Sequence, residues 1–321
     1  MNEPAKSAAV KPDVSSLPKT VDWLRAEGLL IETDKEVDPD LEITGLQKHF
    51  DGSFPMLFNK VKGKPYARAI TNLFSDIRIV EKMFGWENSL DRVKKVARAI
   101  ERPIKPVTIS QEEAPAQEVV ITDDLDVNKW ITAIRHTHME SEITIGSGIS
   151  CVVGPYFDGG THISYNRMNF RWGNIGTFQI SPGSHMWQIM TAHYQEKIPL
   201  TMNFGIPPAA QLAAGSGFDY VVLPKGCDEL GVAGAIQGFP VRIVKTKTID
   251  AYSLADAELV LEGYLHPRDK RFETRESEEA GIQGKFFFHP EWAGYMGKAY
   301  KAPTFHVTAI TMRDTKKEKI T

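Results

Sequence analysis

The stretch THISYNRMNFRWGNIG, residues 161–176, mixes strand-forming residues with side chains that rarely fill the interior of a sheet. Its β-branched and aromatic residues predict a strand, because such residues pack well on a pleated surface. They are Ile163, Tyr165, Phe170 and Trp172. Between them lie amides and guanidinium groups: Asn166, Arg167, Asn169 and Arg171. These groups are good ligands for ions and phosphates. The stretch therefore predicts a strand region that carries a ligand site.

Short strand-like segments surround this stretch between residues 119 and 312. They are rich in Val, Ile, Thr and aromatic residues and are separated by Gly, Pro and Asp: 143–154, 161–172, 175–181, 200–206, 219–223, 240–250, 258–265 and 304–312. One predicted helix interrupts them at 184–197, with Ser184 as its N-cap. Many short strands at this spacing predict a β-barrel or a β-sandwich.

The region 17–118 alternates helical and strand patterns instead. Apolar spacing predicts helices at 17–30, 38–50, 74–84 and 88–101, the last capped by Asn88 or Ser89, and strands at 29–37, 56–59 and 67–72. A connector rich in Pro and Glu, residues 103–118, ends this α/β domain. Residues 1–16 are expected to form a disordered leader, and residues 313–321 a frayed tail.

The composition is typical of a soluble globular protein, with 42% hydrophobic and 25% charged residues among 321. A net charge of −3 with dispersed Lys and Arg gives no reason to expect nucleic acid as a partner. No apolar run resembles a signal peptide or could span a bilayer. Cys151 and Cys227 are too few for a disulfide scaffold, so we expect reduced thiols in a cytoplasmic protein. The glycines form neither a P-loop nor a dinucleotide-binding turn.

Asn166 and Arg171 are five positions apart on the predicted strand. Residues at odd separations face opposite sides of a regular strand, so the two share a pocket only if twist, a bulge or a strand end brings them together. Spacing alone leaves two alternatives open, a functional pair or an arginine in a structural ion pair.

His185 and Glu229 each lie in the predicted first turn of a helix. A helix N-terminus attracts phosphate and a neutral imidazole can ligate a metal, but a histidine there can equally be a capping or packing residue. Glu229 opens ELGVAGAIQG, residues 229–238, where an acidic side chain also compensates the helix dipole. An amide, an imidazole and a carboxylate would together suit a divalent ion that bridges a phosphate.

Glu291 lies among aromatic residues in FFFHPEWAGYMG, residues 286–297. Partial burial there would raise the pKa of this carboxyl group toward the range of a general acid, whereas an exposed loop with a satisfied carboxylate is the simpler alternative. The preceding acidic run ETRESEEAG, residues 273–281, is expected to be a solvated loop from which one glutamate could reach inward.

Several motifs in a fixed order resemble the UbiD family of reversible decarboxylases, which use prenylated FMN. They are EVDPDLEITGL (36–46), LFNKVKGKPYARAITNLF (57–74), NRMNFR (166–171), SPGSHMWQI (181–189), DELGVAGAIQGFPVRIVK (228–245), DAELVLEGYL (256–265), EWAGYMG (291–297) and TFHVTAIT (304–311). The resemblance implies an α+β fold, with an N-terminal α/β domain at 17–118 and a split β-barrel of the flavin-reductase type at 119–312. The C-terminal domain usual in the family is expected to be absent from this chain.

The resemblance also implies a metal-bridged cofactor. In the family an Asn, a His and a Glu hold Mn²⁺ or Mg²⁺ against the phosphate of prenylated FMN, often with K⁺ nearby, and they match Asn166, His185 and Glu229. Ser184 would belong to the same cofactor site. The backbone along the flavin would come from Met168, Asn169 and Phe170. A flavin prenyltransferase would supply the cofactor.

The catalytic groups of the family are an arginine and two glutamates. Arg171 would orient the substrate carboxylate and contact the flavin, and Glu291 would donate the proton that replaces CO₂. The other glutamate of the family lies five residues earlier, where this chain has Phe286. Glu278 or Glu279 would then take its place.

The implied function is non-oxidative decarboxylation, or the reverse carboxylation, of an aromatic or α,β-unsaturated acid by a homo-oligomer. The substrate could also be an aryl-CoA thioester whose phosphates meet the basic loop 266–290, although such a loop is commonly just solvated. Two other classes stay open at this point. One is an ordinary FMN-dependent oxidoreductase on the same barrel, and the other is a catalytically silent or partner-dependent scaffold subunit.

Overall fold

The computed structural model describes residues 12–140, 144–154, 156–158, 160–216, 223–224, 226–291 and 293–321. Its helices are α1 (Leu17–Ala26), α2 (Glu42–His49), α3 (Ile77–Phe84), α4 (Ser89–Glu101), α5 (Val127–Trp130), α6 (His185–Ala192), α7 (Pro208–Ser216), α8 (Glu229–Gln237) and α9 (Arg275–Ala280). Its strands are β1 (Ile31–Val37), β2 (Met56–Val61), β3 (Ala69–Thr71), β4 (Val107–Ile109), β5 (Val119–Ile121), β6 (Ile149–Val153), β7 (Thr161–Tyr165), β8 (Met168–Trp172), β9 (Ile175–Phe178), β10 (Ile198–Phe204), β11 (Arg242–Lys245), β12 (Tyr252–Leu254), β13 (Leu259–Phe272), β14 (Phe287–Pro290), β15 (Met296–Lys298) and β16 (Lys301–Met312). None of the helices in the described ranges is both long and apolar enough to cross a bilayer.

A three-stranded sheet organises the N-terminal part of the chain. Strands β1 and β2 run parallel and are joined through α2, and β3 adds to β2 in the antiparallel sense. A parallel pair needs such a crossover, because a tight turn can only join antiparallel strands. Helices α3 and α4 follow, each started by a side chain that accepts backbone N–H groups, Asp76 for α3 and Asn88 for α4.

The largest sheet carries the candidate site. Its strand order is β7-β6-β10-β13-β16-β9-β8, with β5 added to β16. Strands β7 and β8 are consecutive in the chain yet lie at opposite ends of this order, and an isolated bridge between Ile145 and Met168 is the link between the two ends in the described residues. The fold is therefore mixed α/β as predicted, but the sheet is not closed, so the split β-barrel is not confirmed.

Apolar side chains cover both faces of this sheet. Every residue of the central strand β10 is buried, as expected for a strand packed on two sides. One face packs against α7 and α8 through residues such as Ile163 and Val260. The other face holds a second core in which the rings of Phe178 and Phe305 lie 6.1 Å apart. This burial fixes the sheet, so the strand ends are firm supports for a site.

Several elements depart from the sequence-based expectation. Helix α7 was not predicted, and α9 forms inside 273–281, which we expected to be a solvated loop; Thr274 caps it. Strand β13 continues to Phe272 instead of ending at 265, because it keeps pairing with β16 beyond an irregularity in the register. Helix α6 ends at Ala192, before the predicted end. Most of the strand predicted at 219–223 lies outside the described residues.

The predicted leader and tail are partly incorrect. Val14 is buried and Ser16 caps α1, so residues 14–16 belong to the folded chain, whereas residues 1–11 lie outside the described part. The tail 313–321 is docked rather than frayed. Ile320 is buried and bridges Ala67, which gives this apolar side chain a place in the core.

Glu258 is a buried acid beneath the docked tail. Its Oε1 lies 2.9 Å from Arg313 Nε, and its Oε2 accepts the backbone N–H of Thr321 at 3.1 Å. The residue is only 1% exposed. Burial raises the pKa of Glu258 to about 7, an effect that the positive charge of Arg313 only partly offsets.

We expect Glu258 to make the chain less stable as the pH rises toward neutrality. A carboxyl group with an ordinary pKa of 4.5 and a folded pKa of about 7 binds its proton more tightly in the folded chain. Its stabilising contribution is therefore complete below pH 4.5 and is lost as the pH rises to about 7. The loss amounts to about 3 kcal/mol in the free energy of unfolding.

Urea denaturation of the wild type and of Glu258→Gln between pH 4.5 and pH 7 measures this contribution. The variant should lack the pH-dependent component that the wild type shows. The same pH slope in both proteins would contradict the assignment.

Candidate active site

One face of β7 presents a row of polar side chains. His162 and Ser164 lie two residues apart on this strand, and Asn166 follows at the next position of the same alternation. Ser164 Oγ joins them, since it lies 3.1 Å from His162 Nε2 and donates to Asn166 Oδ1 at 2.9 Å. Asn166 also accepts from Ser150 Oγ at 2.7 Å and donates to the carbonyl of Gln179 at 3.1 Å. The row is therefore a continuous hydrogen-bonded chain.

Two helices begin against this row. Ser184 caps α6 by accepting the Trp187 N–H, which places His185 in the first turn as predicted. Asp228 caps α8 by accepting the Gly231 N–H, so Glu229 is the first helical residue. Each helix starts with a local capping signal and turns its N-terminus toward β7. The positive ends of two helix dipoles therefore face the polar row.

Glu229 lies at the centre of the buried cluster. Its Oε1 is 2.9 Å from His185 Nδ1, its Oε2 is 3.0 Å from His162 Nδ1, and it accepts the Ile163 N–H at 2.6 Å. Burial opposes ionisation, but the neighbouring imidazole of His162 and the hydrogen bonds hold the pKa of Glu229 below its ordinary value. The donor atoms of the three side chains lie within 4.8 Å of one another, close enough for a divalent ion to collect them.

The polar row borders a cavity of about 770 Å³. Its wall combines residues of β7, the start of α6 and the β14–β15 hairpin, among them His162, Asn166, Arg167, Ser184, His185 and Glu291. A cavity of this size suits a cofactor or a small ligand. Two histidines of the buried cluster, His162 and His185, therefore face the same cavity as Arg167 and Glu291.

Arg167 connects two glutamates near this cavity. Its Nη1 lies 3.0 Å from Glu291 Oε1, its Nη2 lies 3.6 Å from Glu273 Oε1, and its guanidinium stacks 4.8 Å from the centre of the Phe288 ring. Glu273 is fully buried, and burial raises the pKa of its carboxyl group although Arg167 acts in the opposite sense. A Cβ atom at Gly297 would come within 2.5 Å of Glu291 Oε1, so a larger residue there would displace this carboxylate.

Arg171 has different partners. Its Nη2 lies 2.7 Å from Glu278 Oε2, and its Nη1 donates to the carbonyl of Phe272 at 3.0 Å. The cavity wall includes Asn166 but not Arg171. The structure therefore pairs Glu291 with Arg167 and pairs Arg171 with Glu278. Glu279 is exposed on α9.

The side chains of 168–170 support β8 rather than line the cavity. Met168 and Phe170 are buried in the second core. Asn169 Nδ2 donates to the carbonyl of Glu273, and Asn169 Oδ1 accepts from the Thr177 hydroxyl at 3.1 Å. The segment can therefore meet a ligand only through its backbone.

Glu291 is partly buried, but two of the aromatic rings near it in the sequence are exposed and do not enclose it. Its side chain remains 32% exposed, and the neighbouring Phe287 and Tyr295 are 39% and 64% exposed. These rings point to solvent because the hairpin leaves the main sheet. The environment of Glu291 is set by its ion pair with Arg167 instead.

Comparison with known proteins places this site in a family. The model described as the 3-octaprenyl-4-hydroxybenzoate carboxy-lyase Rift-related domain matches residues 107–317, and the model of the N-terminal domain of the same carboxy-lyase matches residues 21–100. The chain belongs to the UbiD family. These matches confirm the likeness that the separate motifs indicated.

Relatives within the UbiD family include named decarboxylases. The chain is 32% identical over 301 residues to gallate decarboxylase of Lactiplantibacillus plantarum, covering 88% of this chain and 59% of that protein. It is 27% identical to ferulic acid decarboxylase 1 of Candida dubliniensis, covering 91% and 58% respectively. The chain thus spans about three fifths of the length of these relatives.

Solved UbiD-class structures share the fold. An evolved dimeric form of the enzyme HmfF from Pelotomaculum thermopropionicum, in complex with prFMN, superposes with a TM-score of 0.82 at 27% identity, covering 94% of this chain and 66% of that chain. Apo 3,4-dihydroxybenzoic acid decarboxylase (AroY) of Klebsiella pneumoniae gives 0.81 at 25% identity, covering 94% and 63%. The mixed α/β fold is therefore that of UbiD-class enzymes.

Three residues of the candidate site were not singled out from the sequence. His162 joins the cluster, and the alternation of His162, Ser164 and Asn166 along one strand face would have indicated it. Arg167 was noted only as a polar residue of the opening stretch. Glu273 is the glutamate of the acidic run that reaches inward, and its place depends on pairing between β13 and β16, which no local signal reveals.

We expect Glu229→Ala to destabilise the folded chain. The substitution removes a fully buried carboxylate and leaves the Ile163 N–H and two imidazole nitrogens without their acceptor. Orphaned buried donors cost roughly 1–3 kcal/mol each, so the midpoint of thermal unfolding should fall clearly. Glu279→Ala, which changes an exposed glutamate, is the matched control and should unfold like the wild type. Equal midpoints for both variants would refute this role of Glu229.

Proposed function

We propose that the chain forms the cofactor- and substrate-binding part of a non-oxidative, reversible decarboxylase of an aromatic or α,β-unsaturated carboxylic acid. The observation that carries this proposal is the shared cavity, which has His162 and His185 of the buried cluster on one wall and the Arg167–Glu291 pair on another. Relatives named for gallate and ferulic acid decarboxylation support the substrate class.

The donor set of the cavity fits a metal-bridged flavin phosphate. Asn166, His185 and Glu229 would hold Mn²⁺ or Mg²⁺, and His162 adds a further imidazole to the same cluster. The N-termini of α6 and α8 supply backbone N–H groups and positive dipole ends for a phosphate, with Ser184 at the start of α6. The neighbouring UbiD-class structure contains prFMN, which supports prenylated FMN as the cofactor here. K⁺ is proposed as an additional ion of the site.

The chain's own residues would bind the acid and move one proton. The guanidinium of Arg167 would bind the substrate carboxylate, and buried Glu273 would hold that guanidinium in place. When bound, prenylated FMN supplies an electron sink for the carbon that loses CO₂. The electron pair of the broken C–C bond would end in a new C–H bond at that carbon, with the proton given by Glu291. In the carboxylation direction the same carboxylate would take this proton back.

The resemblance offers a second assignment of the catalytic groups. In it Arg171 acts as the catalytic and cofactor-contacting arginine, and Glu278 or Glu279 acts with Glu291. Arg171 and Glu278 already form an ion pair at 2.7 Å, as this assignment needs, but Arg171 does not line the cavity that Glu291 faces, so ligand binding would have to bring the pair there. Met168, Asn169 and Phe170 would contact the flavin through their backbone in either assignment.

The finer architecture and setting belong to the same proposal. It places an N-terminal α/β domain at 17–118 and a cofactor-binding split β-barrel at 119–312. It further includes assembly into a homo-oligomer in the cytoplasm, supply of the cofactor by a flavin prenyltransferase, and an aryl-CoA thioester as an alternative form of the substrate. The evolved dimeric neighbour supports assembly into dimers.

Coexpression of the chain with a flavin prenyltransferase tests the proposal directly. We expect mass spectrometry of the extracted flavin to give the mass of prenylated FMN, and the purified protein to release CO₂ from a panel of hydroxybenzoic and cinnamic acids. Plain FMN without CO₂ release would favour an oxidoreductase. Prenylated FMN without CO₂ release from any acid would favour a scaffold or partner-dependent subunit.

Single variants of the same holoprotein separate the two catalytic assignments. We expect Arg167→Ala and Glu291→Gln to lower kcat/KM by about 10²–10⁴, since each removes a group that acts on the reacting acid. We expect Arg171→Ala to retain most of the activity. Loss in Arg171→Ala with retention in Arg167→Ala would instead support the assignment implied by the resemblance. Glu276→Gln, an exposed position on α9, serves as the control.

A further inference from the structure

A second group of metal-type side chains lies between segment 131–140 and β14, apart from the cavity wall. His136, Glu140 and His289 bring imidazole nitrogens and carboxylate oxygens to within 4.8 Å of one another. His289 Nδ1 lies 2.8 Å from Glu140 Oε1, and His136 Nδ1 lies 3.5 Å from Glu140 Oε2. The two imidazole rings meet edge to face with their centres 5.2 Å apart. Three donors from two separate parts of the chain therefore converge on one point.

The carboxylate of this group is held in a fixed orientation. Its side chain is fully buried, and Oε2 accepts the backbone N–H groups of His136 and Thr137 at 2.5 and 3.3 Å. Burial opposes ionisation of Glu140, but hydrogen bonds from His136 and His289 outweigh it and lower its pKa to about 2. Backbone donors that fix a carboxylate in this way are typical of the groups that support metal ligands.

The contacts of His136 within the protein leave one of its ring nitrogens poorly satisfied. Its Nδ1 is buried and makes no hydrogen bond of good geometry with the described residues; Glu140 Oε2 lies 3.5 Å away. A ring nitrogen withdrawn from water without a partner costs free energy. An ion between the three side chains would satisfy this nitrogen.

We propose that His136, Glu140 and His289 form a binding site for a divalent transition-metal ion, for which Zn²⁺ is the probe. Two imidazoles with one carboxylate are the donors that Zn²⁺ and related ions prefer, whereas Mg²⁺ and Ca²⁺ prefer sites made of oxygen ligands. Three protein ligands leave at least one position for water. The site does not depend on the carboxy-lyase activity proposed above.

The ion would fasten the β14–β15 hairpin to segment 131–140. His289 lies on β14, two residues before Glu291, which faces the cavity. A metal–ligand bond at His289 would restrict the hairpin more strongly than a single hydrogen bond does. Bound Zn²⁺ should therefore raise the midpoint of thermal unfolding, because it binds the folded chain in preference to the unfolded one.

Zinc stoichiometry in matched variants tests the site without any activity assay. The full chain is stripped with a chelator and titrated with Zn²⁺ against a colorimetric competitor. His136→Gln and His289→Gln should each bind one equivalent fewer than the wild type, with an affinity loss at the lost site above about a hundredfold. His138→Gln, an exposed histidine two residues from His136, should bind as the wild type does. An ion bound by the cluster at the cavity would be present in all of these proteins. It therefore cancels when the number of Zn²⁺ equivalents in a variant is subtracted from that in the wild type.

The same stoichiometry in all four proteins, or no tight Zn²⁺ in the wild type, would overturn the proposal. Loss of the equivalent in His138→Gln would overturn it as well, since the ligand set would then be different. Zinc-soaked crystals of the wild type provide a measurement that needs no substitution. An anomalous peak between the three side chains supports the site, and a soaked crystal without one refutes it.

Discussion

A single buried carboxylate holds three separate parts of the chain at one point. Glu229 starts α8, yet its oxygens meet His185 from α6 and both His162 and the Ile163 N–H from β7. A carboxylate that is 0% exposed is tolerable only when it is paired and hydrogen-bonded, so each of these partners is required by the fold itself. The groups suited to a metal are therefore already gathered before any ligand binds.

The way in which each of these residues is positioned explains which parts of the site the sequence could predict. His185 and Glu229 follow capping residues, Ser184 and Asp228, and a cap is a local signal that fixes where a helix begins. His162 has no such signal, because its place depends on which face of β7 turns toward the helices. Alternation along β7 shows that His162 shares a face with Ser164 and Asn166. Which of the two faces of the strand turns toward the helices is decided only by the packing of the sheet.

The arginine and the longer elements show where local patterns stop being informative. Motif spacing favours Arg171, while in the folded chain Glu291 pairs with Arg167, which lies between β7 and β8, where strand alternation does not predict the side that a residue faces. Helices α3 and α4 were predicted well because caps and apolar spacing agree. Strand β13 was predicted too short, because its length depends on pairing with β16, which follows only after two further strands and a helix. Helix α9 was missed although Thr274 is a local capping signal.

The two walls of the cavity are held by different means. The cluster around Glu229 rests on the main sheet and on two helix starts, all of them buried, so its geometry is stiff. Glu291 lies on a hairpin outside that sheet and is positioned by its ion pair with Arg167, by the close approach at Gly297 and by the contact of His289 with Glu140. Changes in these contacts can move the carboxyl group without disturbing the cluster. The wall that carries His162 and His185 is thus fixed by the fold, while the wall that carries Glu291 is adjustable, as is usual for side chains on connections outside a rigid sheet.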